Sequence, residues 1–422
     1  MNNTVPASKF CHRVFDGTHA TPRPVPNGKP LVTSKNIVGG LLDLSDAYHI
    51  SQADYDDIQK RSYVSQWDVL FSMIGSVGEV YLERNQNVGY AVKNVGVFSC
   101  LDQNRAQWLY YFLKSSTAKQ IIKNQLSGAV QKFLGLGALR DFPIPEVNQN
   151  RLPGIHLLSA LDAKIELNHR INEELEGIGK LLYDYWFVQF DFPITAAQAA
   201  AMGKPRLEGK PYRASGGKMI YNETLKREIP EGWQHSTIGE TFKTHLGGTP
   251  SRKKKEYWTP GEVNWLSSGE NPSTFIVDPD ERISNLGLQN SPAKLLPKGS
   301  VILSIVRHLR ASILGIEAAT NQSVVGIVET SAFKHCFIYP YLVREIPRLM
   351  VLRTGAQQPH INKGVLYASL LVVPDESTLE AYTSLAAPLF LQIKNHHQQN
   401  RELTKLRDWL LPMLMNGQVT VS

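Results

Sequence analysis

The sequence has 422 residues, 42% of them hydrophobic and 20% charged, and this balance excludes an intrinsically disordered chain. Its length predicts two or three domains, each able to bury its own core. A formal net charge of +7 favours a polyanionic partner such as nucleic acid.

The N-terminal 152 residues open with the polar stretch MNNTVPASK, which lacks the apolar core of a signal peptide. Runs such as VGYAVKNVGVFSC (88–100) are rich in β-branched and aromatic residues, as is typical of strands. Apolar residues then recur at helical spacing up to position 187. We therefore predict a mixed α/β domain over 1–152 and a long helix over 153–191.

The second half repeats this order. Phe192-Pro193 ends the predicted helix, and the segment 192–219, rich in Ala, Gly and Lys, is predicted to be a linker. Strand-like runs such as VILSIV and SVVGIVE return, which predicts a second mixed domain over 220–376. Helical spacing marks 377–422 as a second long helix. No apolar run approaches the ~20 residues that span a bilayer, so we expect no membrane association and a cytoplasmic protein.

An internal repeat relates the two halves. At a shift of 228 positions the two predicted helices share a histidine, an asparagine and a glutamate in addition to several leucines. The Gly-Ala-Gln turns SGAVQKFLGLGAL and TGAQQPHINKGVL repeat upstream, and Gly17-Thr18 aligns with Gly248-Thr249. Asn85-Gln86 aligns with Asn321-Gln322. Such self-similarity predicts two copies of one structural unit.

Both helices carry an apolar seam at alternating spacings of four and three, which is typical of a coiled coil. The repeated Asn172 and Asn400 are predicted to sit in this seam and fix its register. A helix of about 30 residues is roughly 45 Å long. The predicted fold is therefore α+β, with two mixed domains joined by two long antiparallel helices in a coiled coil and related by a pseudo-two-fold axis.

Motifs of catalysis are missing from the sequence. It has no GxxxxGK[ST] phosphate loop, no GxGxxG fingerprint and no Asn-Pro-Pro-aromatic stretch of adenine methyltransferases. The three cysteines have no CxxC spacing, which argues against a zinc site. We therefore expect no catalytic residue, no cofactor site and no metal site in this chain.

A binding surface is predicted instead. Candidate DNA contacts are hydroxyl or cationic side chains near a Gly-rich loop or a strand end, in GGTPSRKKKEYW, NWLSSGE, PLVTSKNI and IVRHLR. They are Thr33, Ser34, Lys35, Thr249, Ser251, Arg252, Lys253, Lys254, Ser267, Ser268, Arg307 and Arg310.

Taken together, these strings resemble the DNA specificity subunit of type I restriction-modification systems. LDAKIELNHRINEELEGIGKLLYDYWFVQFDF is similar to that family's central conserved region, and REIPEGW with GGTPSRKKKEYWTPGEVNWLSSGE is similar to the start of a target-recognition domain. GTHATP with GKPLVTSKNI resembles the start of the first such domain, and AVQKFLGLGALRDFPIP and AQQPHINKGVLYASLLVVP resemble the two ends. These strings add the candidate contacts Thr18, Arg23, Gln131, Lys132, Gln358 and His360.

The resemblance implies a non-catalytic prokaryotic subunit that reads a bipartite, asymmetric site in double-stranded DNA. It also implies that two methyltransferase subunits dock on this body and that restriction and translocase subunits join them. S-adenosylmethionine, ATP and Mg²⁺ would then belong to those partners. Two alternatives remain: the recognition part of a fused type II-like methyltransferase or endonuclease, and a scaffold that binds only protein.

Overall fold

The computed structural model of the chain describes residues 4–127, 132–269, 273–306, 308–355 and 360–421. The chain forms two compact units. The first unit comprises 1–166 together with 401–422, and the second comprises 167–400. Two long helices, Leu152–Phe187 and Glu376–Asn416, each contribute residues to both units.

The first unit is built around a four-stranded antiparallel sheet in the order Arg13–Asp16, Val95–Ser99, Asp68–Ser72, Val80–Leu82. All five residues of Asp68–Ser72 and of Val95–Ser99 are buried, which is why these strands are nearly continuous apolar runs. The other strands are Thr4–Pro6, Lys29–Val32, Ile37–Val38, Leu41–Leu42, His49–Ile50, Ala91–Val92 and Pro143–Pro145. The other helices are Ala7–Phe10, Gln52–Ser62, Gln103–Lys114, Ser116–Gln125 and Leu136–Arg140.

The second unit repeats this topology. Its main sheet has the order Thr244–Leu246, Val324–Ile327, Val301–Ser304, Arg310–Leu314, with Phe275–Ile276 added in parallel at the edge. The other strands are Met219–Asn222, Arg227–Pro230, Gln234–Thr237, Val263–Leu266, Glu281–Ile283, Ala319–Thr320 and Leu370–Val373. Its shorter helices are Ala196–Ala201, Ile238–Thr241, Asn285–Gln289, His335–Val351 and Lys363–Tyr367.

A parallel strand pair sits beside the main sheet in each unit. In the first unit Val32 pairs with Val92, and in the second Leu266 pairs with Thr320. The Lys93 N–H donates to the Val32 carbonyl at 2.8 Å, and the Asn321 N–H donates to the Leu266 carbonyl at 2.9 Å. The internal repeat seen in the sequence is thus a repeat of strand order and of individual backbone bonds.

Within the first unit the two long helices pack closely. A methyl group on Gly154 would lie 2.7 Å from the Leu414 side chain, so this glycine permits close approach. Further along, the buried Arg407 donates from Nη1 to Asp162 Oδ1 at 2.7 Å. Gly154 contacts Leu414 and the later residue Asp162 contacts the earlier residue Arg407, so the two helices are antiparallel within this unit.

Within the second unit the same helices are joined by amides. Asn168 Nδ2 donates to Asn400 Oδ1 at 2.7 Å, and His396 Nδ1 lies 2.8 Å from Asn172 Oδ1. Asn172 and Asn400 are both buried. Each bonds to a different partner rather than to the other, because equivalent residues of an antiparallel repeat face each other only at its midpoint.

The segment predicted to be a linker is folded. Thr195 caps the helix Ala196–Ala201 with a capping box, and Phe192 and Tyr212 stack at 4.7 Å between ring centroids in the core of the second unit. The first long helix also ends at Phe187 rather than at 191. Its backbone then turns at Phe190, which has a φ of 65°.

Candidate nucleic-acid interface

A glycine loop of the first unit is held against the end of the short strand Ala91–Val92. Gly17 donates to the Val95 carbonyl at 2.9 Å, and Thr18 donates to the Val92 carbonyl at 3.0 Å. A Cβ on Gly17 would lie 2.3 Å from the Val92 oxygen, so no larger residue fits. The exposed His19 then reaches Asn94, with 2.8 Å between Nδ1 and Oδ1.

The second unit holds its own glycine loop in the same way. Gly247 donates to the Val324 carbonyl at 3.1 Å, and Gly248 donates to the Thr320 carbonyl at 2.8 Å. Thr249 Oγ1 donates to Gln322 Oε1 at 2.6 Å. The bond pattern therefore makes Thr249 the counterpart of His19 and Gly248 the counterpart of Thr18.

These bonds correct two sequence alignments. Gly17-Thr18 corresponds to Gly247-Gly248 rather than to Gly248-Thr249, because these two pairs donate equivalent backbone hydrogen bonds. Asn321-Gln322 corresponds to Lys93-Asn94 rather than to Asn85-Gln86, since both pairs follow the short parallel strand that contacts the glycine loop. The shift of 228 that relates the helices also relates Lys93-Asn94 to Asn321-Gln322.

The hydroxyl-rich turn of the first unit begins where the strand Lys29–Val32 ends. Thr33 and Asn36 form a capping box around a short 3-10 helix, with the Thr33 N–H donating to Asn36 Oδ1 at 2.8 Å. Asn36 Nδ2 also donates to the Asp43 carbonyl at 3.0 Å. This frame fixes Ser34 and leaves Lys35 exposed.

The equivalent turn of the second unit follows the strand Val263–Leu266. Ser267 and Ser268 are partly buried there, beside the Asn321 N–H that bonds Leu266. We use the term loop cluster for the glycine loop, hydroxyl turn and amide pair of a unit: 17–19, 33–36 and 92–94 in the first, and 247–249, 266–268 and 320–322 in the second. The structure thus brings together residues that are far apart in sequence.

A third strand end adjoins each loop cluster. Ile74 forms an isolated bridge with Phe133 in the first unit, and Val306 forms one with His360 in the second. Lys132 is exposed, and its carbonyl accepts from the Gly75 N–H at 3.4 Å. Arg310 is exposed opposite Ser304. Gln131, Arg307 and Gln358 lie outside the described residues, and Arg23 is exposed in the loop after Asp16.

The cation run 252–255 has a mixed role. The Arg252 guanidinium stacks on Trp258 at 3.6 Å from the ring centroid and pairs with Glu281 at 2.6 Å. Lys254 Nζ donates to the Tyr257 hydroxyl at 3.0 Å. Arg252 and Lys254 therefore shape this loop although they are exposed, and Lys253 and Ser251 are exposed to solvent as well.

The candidate contacts predicted from the sequence do not include His19, Lys93 and Asn94, which the structure places in the loop cluster of the first unit. The signal for Asn94 was present, since a shift of 228 places it on Gln322. His19 and Thr249 differ chemically, so only the bonds to their amide partners relate them.

The described residues include no group of three or more His, Cys, Asp or Glu side chains that could hold a metal ion. Among the described helices, none combines the length and apolar content needed to cross a membrane.

Comparisons with known proteins agree with the duplication. The family model of the type I restriction modification DNA specificity domain matches residues 27–177 and again 230–378. The chain belongs to this family. Each match begins before a hydroxyl turn, and together they contain the turns, strand ends and amide pairs described above.

Two curated relatives extend over most of the chain. The type I restriction enzyme MjaIX specificity subunit of Methanocaldococcus jannaschii is 24% identical over 348 residues, covering 81% of this chain and 73% of the relative. The type I restriction enzyme HindI specificity subunit of Haemophilus influenzae is 24% identical over 412 residues, covering 86% and 88%. A solved structure, the S subunit of a type I restriction-modification system from M. genitalium, has a similar fold, with a TM-score of 0.54, 14% identity and coverage of 98% and 95%.

Proposed function

We propose that this chain is the non-catalytic DNA-recognition subunit of a type I restriction-modification complex and that it reads a bipartite, asymmetric site in double-stranded DNA. One observation carries this proposal: the same loop cluster recurs in two units of a chain that matches the DNA specificity domain twice. Each cluster joins hydroxyl and amide side chains, and the first also contains Lys35 and Lys93; such groups contact phosphates and base edges. The different side chains of the two clusters, such as His19 and Thr249, suit an asymmetric site.

The two long helices would form an antiparallel coiled coil that sets the distance between half-sites. The shift of 228 converts the Asn168–Asn400 contact into the His396–Asn172 contact, which supports a pseudo-two-fold axis between the helices. A buried amide in such a seam fixes register. The unread spacer in the DNA would follow from the length of this pair.

Two methyltransferase subunits would dock on this body, and restriction and translocase subunits would join them. Leu181 and Trp409 support two copies of one partner. They are 69% and 59% exposed on the long helices and are related by the shift of 228. An exposed apolar residue at the same place on each helix would give two copies of one partner equivalent contacts. S-adenosylmethionine, ATP and Mg²⁺ would bind to the partner subunits.

Mapping N6-methyladenine across the host genome tests the recognition role. The gene is deleted and then restored while the gene of the proposed methyltransferase partner is kept active. A bipartite motif that disappears on deletion and returns on restoration is expected. Methylation that persists unchanged without this gene would contradict the proposal.

Insertion of one heptad into each long helix tests the spacer role. A preferred spacer that lengthens, with both half-sites unchanged, is the expected result, because a heptad preserves the seam while adding about 10 Å of helix. An unchanged spacer in a folded variant would show that the helices do not set the distance.

A further inference from the structure

A cleft of about 660 Å³ with a mixed apolar and polar lining lies beside the loop cluster of the first unit. Ser34 and Lys35 line it from the hydroxyl turn, Tyr48 from the position just before the strand His49–Ile50, and Lys93 and Asn94 from the amide pair. Ile74 contributes an apolar patch from the third strand end. The cleft is thus walled by several loops that meet at one end of the unit.

Hydrogen bonds anchor the backbone of this cleft around Ser34 and Tyr48. The capping box between Thr33 and Asn36 encloses Ser34, and Asn36 is bonded to the Asp43 carbonyl on the opposite side. The Tyr48 carbonyl accepts from the Leu31 N–H at 3.0 Å, which anchors that residue to the strand Lys29–Val32. Both side chains are therefore presented from fixed backbone.

Two hydroxyl groups in the cleft are buried without a partner. Ser34 Oγ and Tyr48 OH are shielded from solvent and have no hydrogen-bond partner among the described residues. A buried hydroxyl left in this way costs about 1–3 kcal/mol. Burial also raises the pKa of the Tyr48 hydroxyl. Each group can donate one hydrogen bond and accept others.

These features match the edge of a DNA base better than a phosphate alone. A base edge presents hydrogen-bond donors and acceptors side by side, and serine can bond to either kind. Lys35 and Lys93 lie where they can hold the adjoining phosphates, while Ile74 offers an apolar surface to a base or to a thymine methyl group.

We propose that Ser34 and Tyr48 are specificity-determining residues that read one base pair in the half-site bound by the first unit. This inference rests on the proposed DNA-recognition function and deepens it by assigning a base-reading site. Asn94 acts with them as a positioning residue, since it bonds His19 of the glycine loop at the rim of the same cleft.

The test uses the full complex with Ser34→Ala or Tyr48→Phe, and reads the methylated motif across the genome. Each variant is expected to lose about 5- to 150-fold of the preference for the correct base at one position of one half-site. The other half-site and the spacer stay unchanged and serve as internal references. Neither variant should lower the melting temperature of the free subunit, because each removes a hydroxyl that has no internal bond.

Tyr55→Phe and Ser62→Ala are matched controls. Their hydroxyls donate to the carbonyls of Val88 and Asp16 at 3.2 and 3.0 Å, outside the cleft. They should leave every position of the motif as stringent as in the wild type.

The outcomes separate this inference from the function on which it rests. A motif that stays equally stringent at all positions in both variants would overturn the assignment, although the motif still disappears on gene deletion. Uniform loss of methylation at all sites with an unchanged motif would also overturn it, because that result indicates a backbone contact. If deletion of the gene leaves methylation intact, the recognition function itself fails.

Discussion

Replacing Arg407 with methionine should destabilise the first unit strongly, because it leaves a buried carboxylate without its cation. Arg407 and Asp162 are 9% and 8% exposed and are joined at 2.7 Å. The Tyr111 hydroxyl donates to the other Asp162 oxygen at 2.7 Å, so the aspartate connects both long helices to the helix Gln103–Lys114. Methionine keeps much of the apolar stem, and the loss is therefore mainly electrostatic.

The expected magnitude follows from this burial. Removing one partner of a buried ion pair costs about 3–5 kcal/mol, since the remaining charge stays desolvated. For a unit of this size each kcal/mol lowers the melting temperature by about 2–4 °C. Arg407→Met should therefore lower the transition of the first unit by roughly 10 °C.

The assay is urea and thermal unfolding followed by circular dichroism, with hydrogen exchange on peptides from 152–166 and 401–416 to assign the transition to this unit. Arg213→Met is the control, because Arg213 pairs with Glu228 at 3.9 Å on the surface and should contribute less than about 1 kcal/mol. Adding Asp162→Leu and Tyr111→Phe to the Arg407 variant removes the stranded polar groups and should restore most of the stability. A loss below about 1 kcal/mol for Arg407→Met would refute the reasoning.

Three further predictions concern the second unit. Burial, with His169 and His396 nearby, lowers the pKa of His397 to about 4, so it stabilises the fold above its unfolded pKa of about 6.5 and this stability is lost as pH falls toward 4. His397→Gln should reduce the loss of unfolding free energy between pH 7 and pH 4 by up to about 3 kcal/mol, as measured by urea unfolding. An unchanged dependence of this free energy on pH would contradict the prediction. Lys253→Ala should reduce the slope of log affinity for DNA against log salt concentration by about 0.9. Arg252→Ala should chiefly lower the melting temperature. The same change of slope in both variants would show that Arg252 also contacts phosphate. Gly248→Ala should destabilise the second unit and weaken binding, because its Cβ would lie 2.5 Å from a backbone nitrogen, and a fully stable variant would argue against that packing.

The duplicated architecture could be predicted from the sequence because the two long helices repeat the same residue types. Over a long helix, a buried seam requires the same residue types at fixed spacing, and the shift of 228 kept them aligned. The partners within the seam could not be predicted, since Asn172 meets His396 rather than Asn400 in an antiparallel pair. The segment 192–219 was misread because its buried Phe192, Ile194 and Tyr212 are isolated apolar residues without periodicity.

The interface was predicted less completely than the scaffold. Hydroxyl and glycine-rich loops were visible in the sequence, but the strands that bring them together are as short as two residues and carry almost no periodic signal. His19 and Thr249 occupy equivalent places with different chemistry. Arg252 stays a predicted phosphate contact, and its stacking on Trp258 could not be predicted from the sequence.

The division of the two long helices between the units has a consequence for the order of folding during synthesis. The second unit is one continuous stretch, 167–400, whereas the first unit combines 1–166 with 401–422. The first unit needs Leu411 and Leu414, which pack with Ile155 and Leu158 in its core. The domain that leaves the ribosome first is therefore the last to be finished, and a nonsense mutation near codon 400 would damage the N-terminal half of the protein.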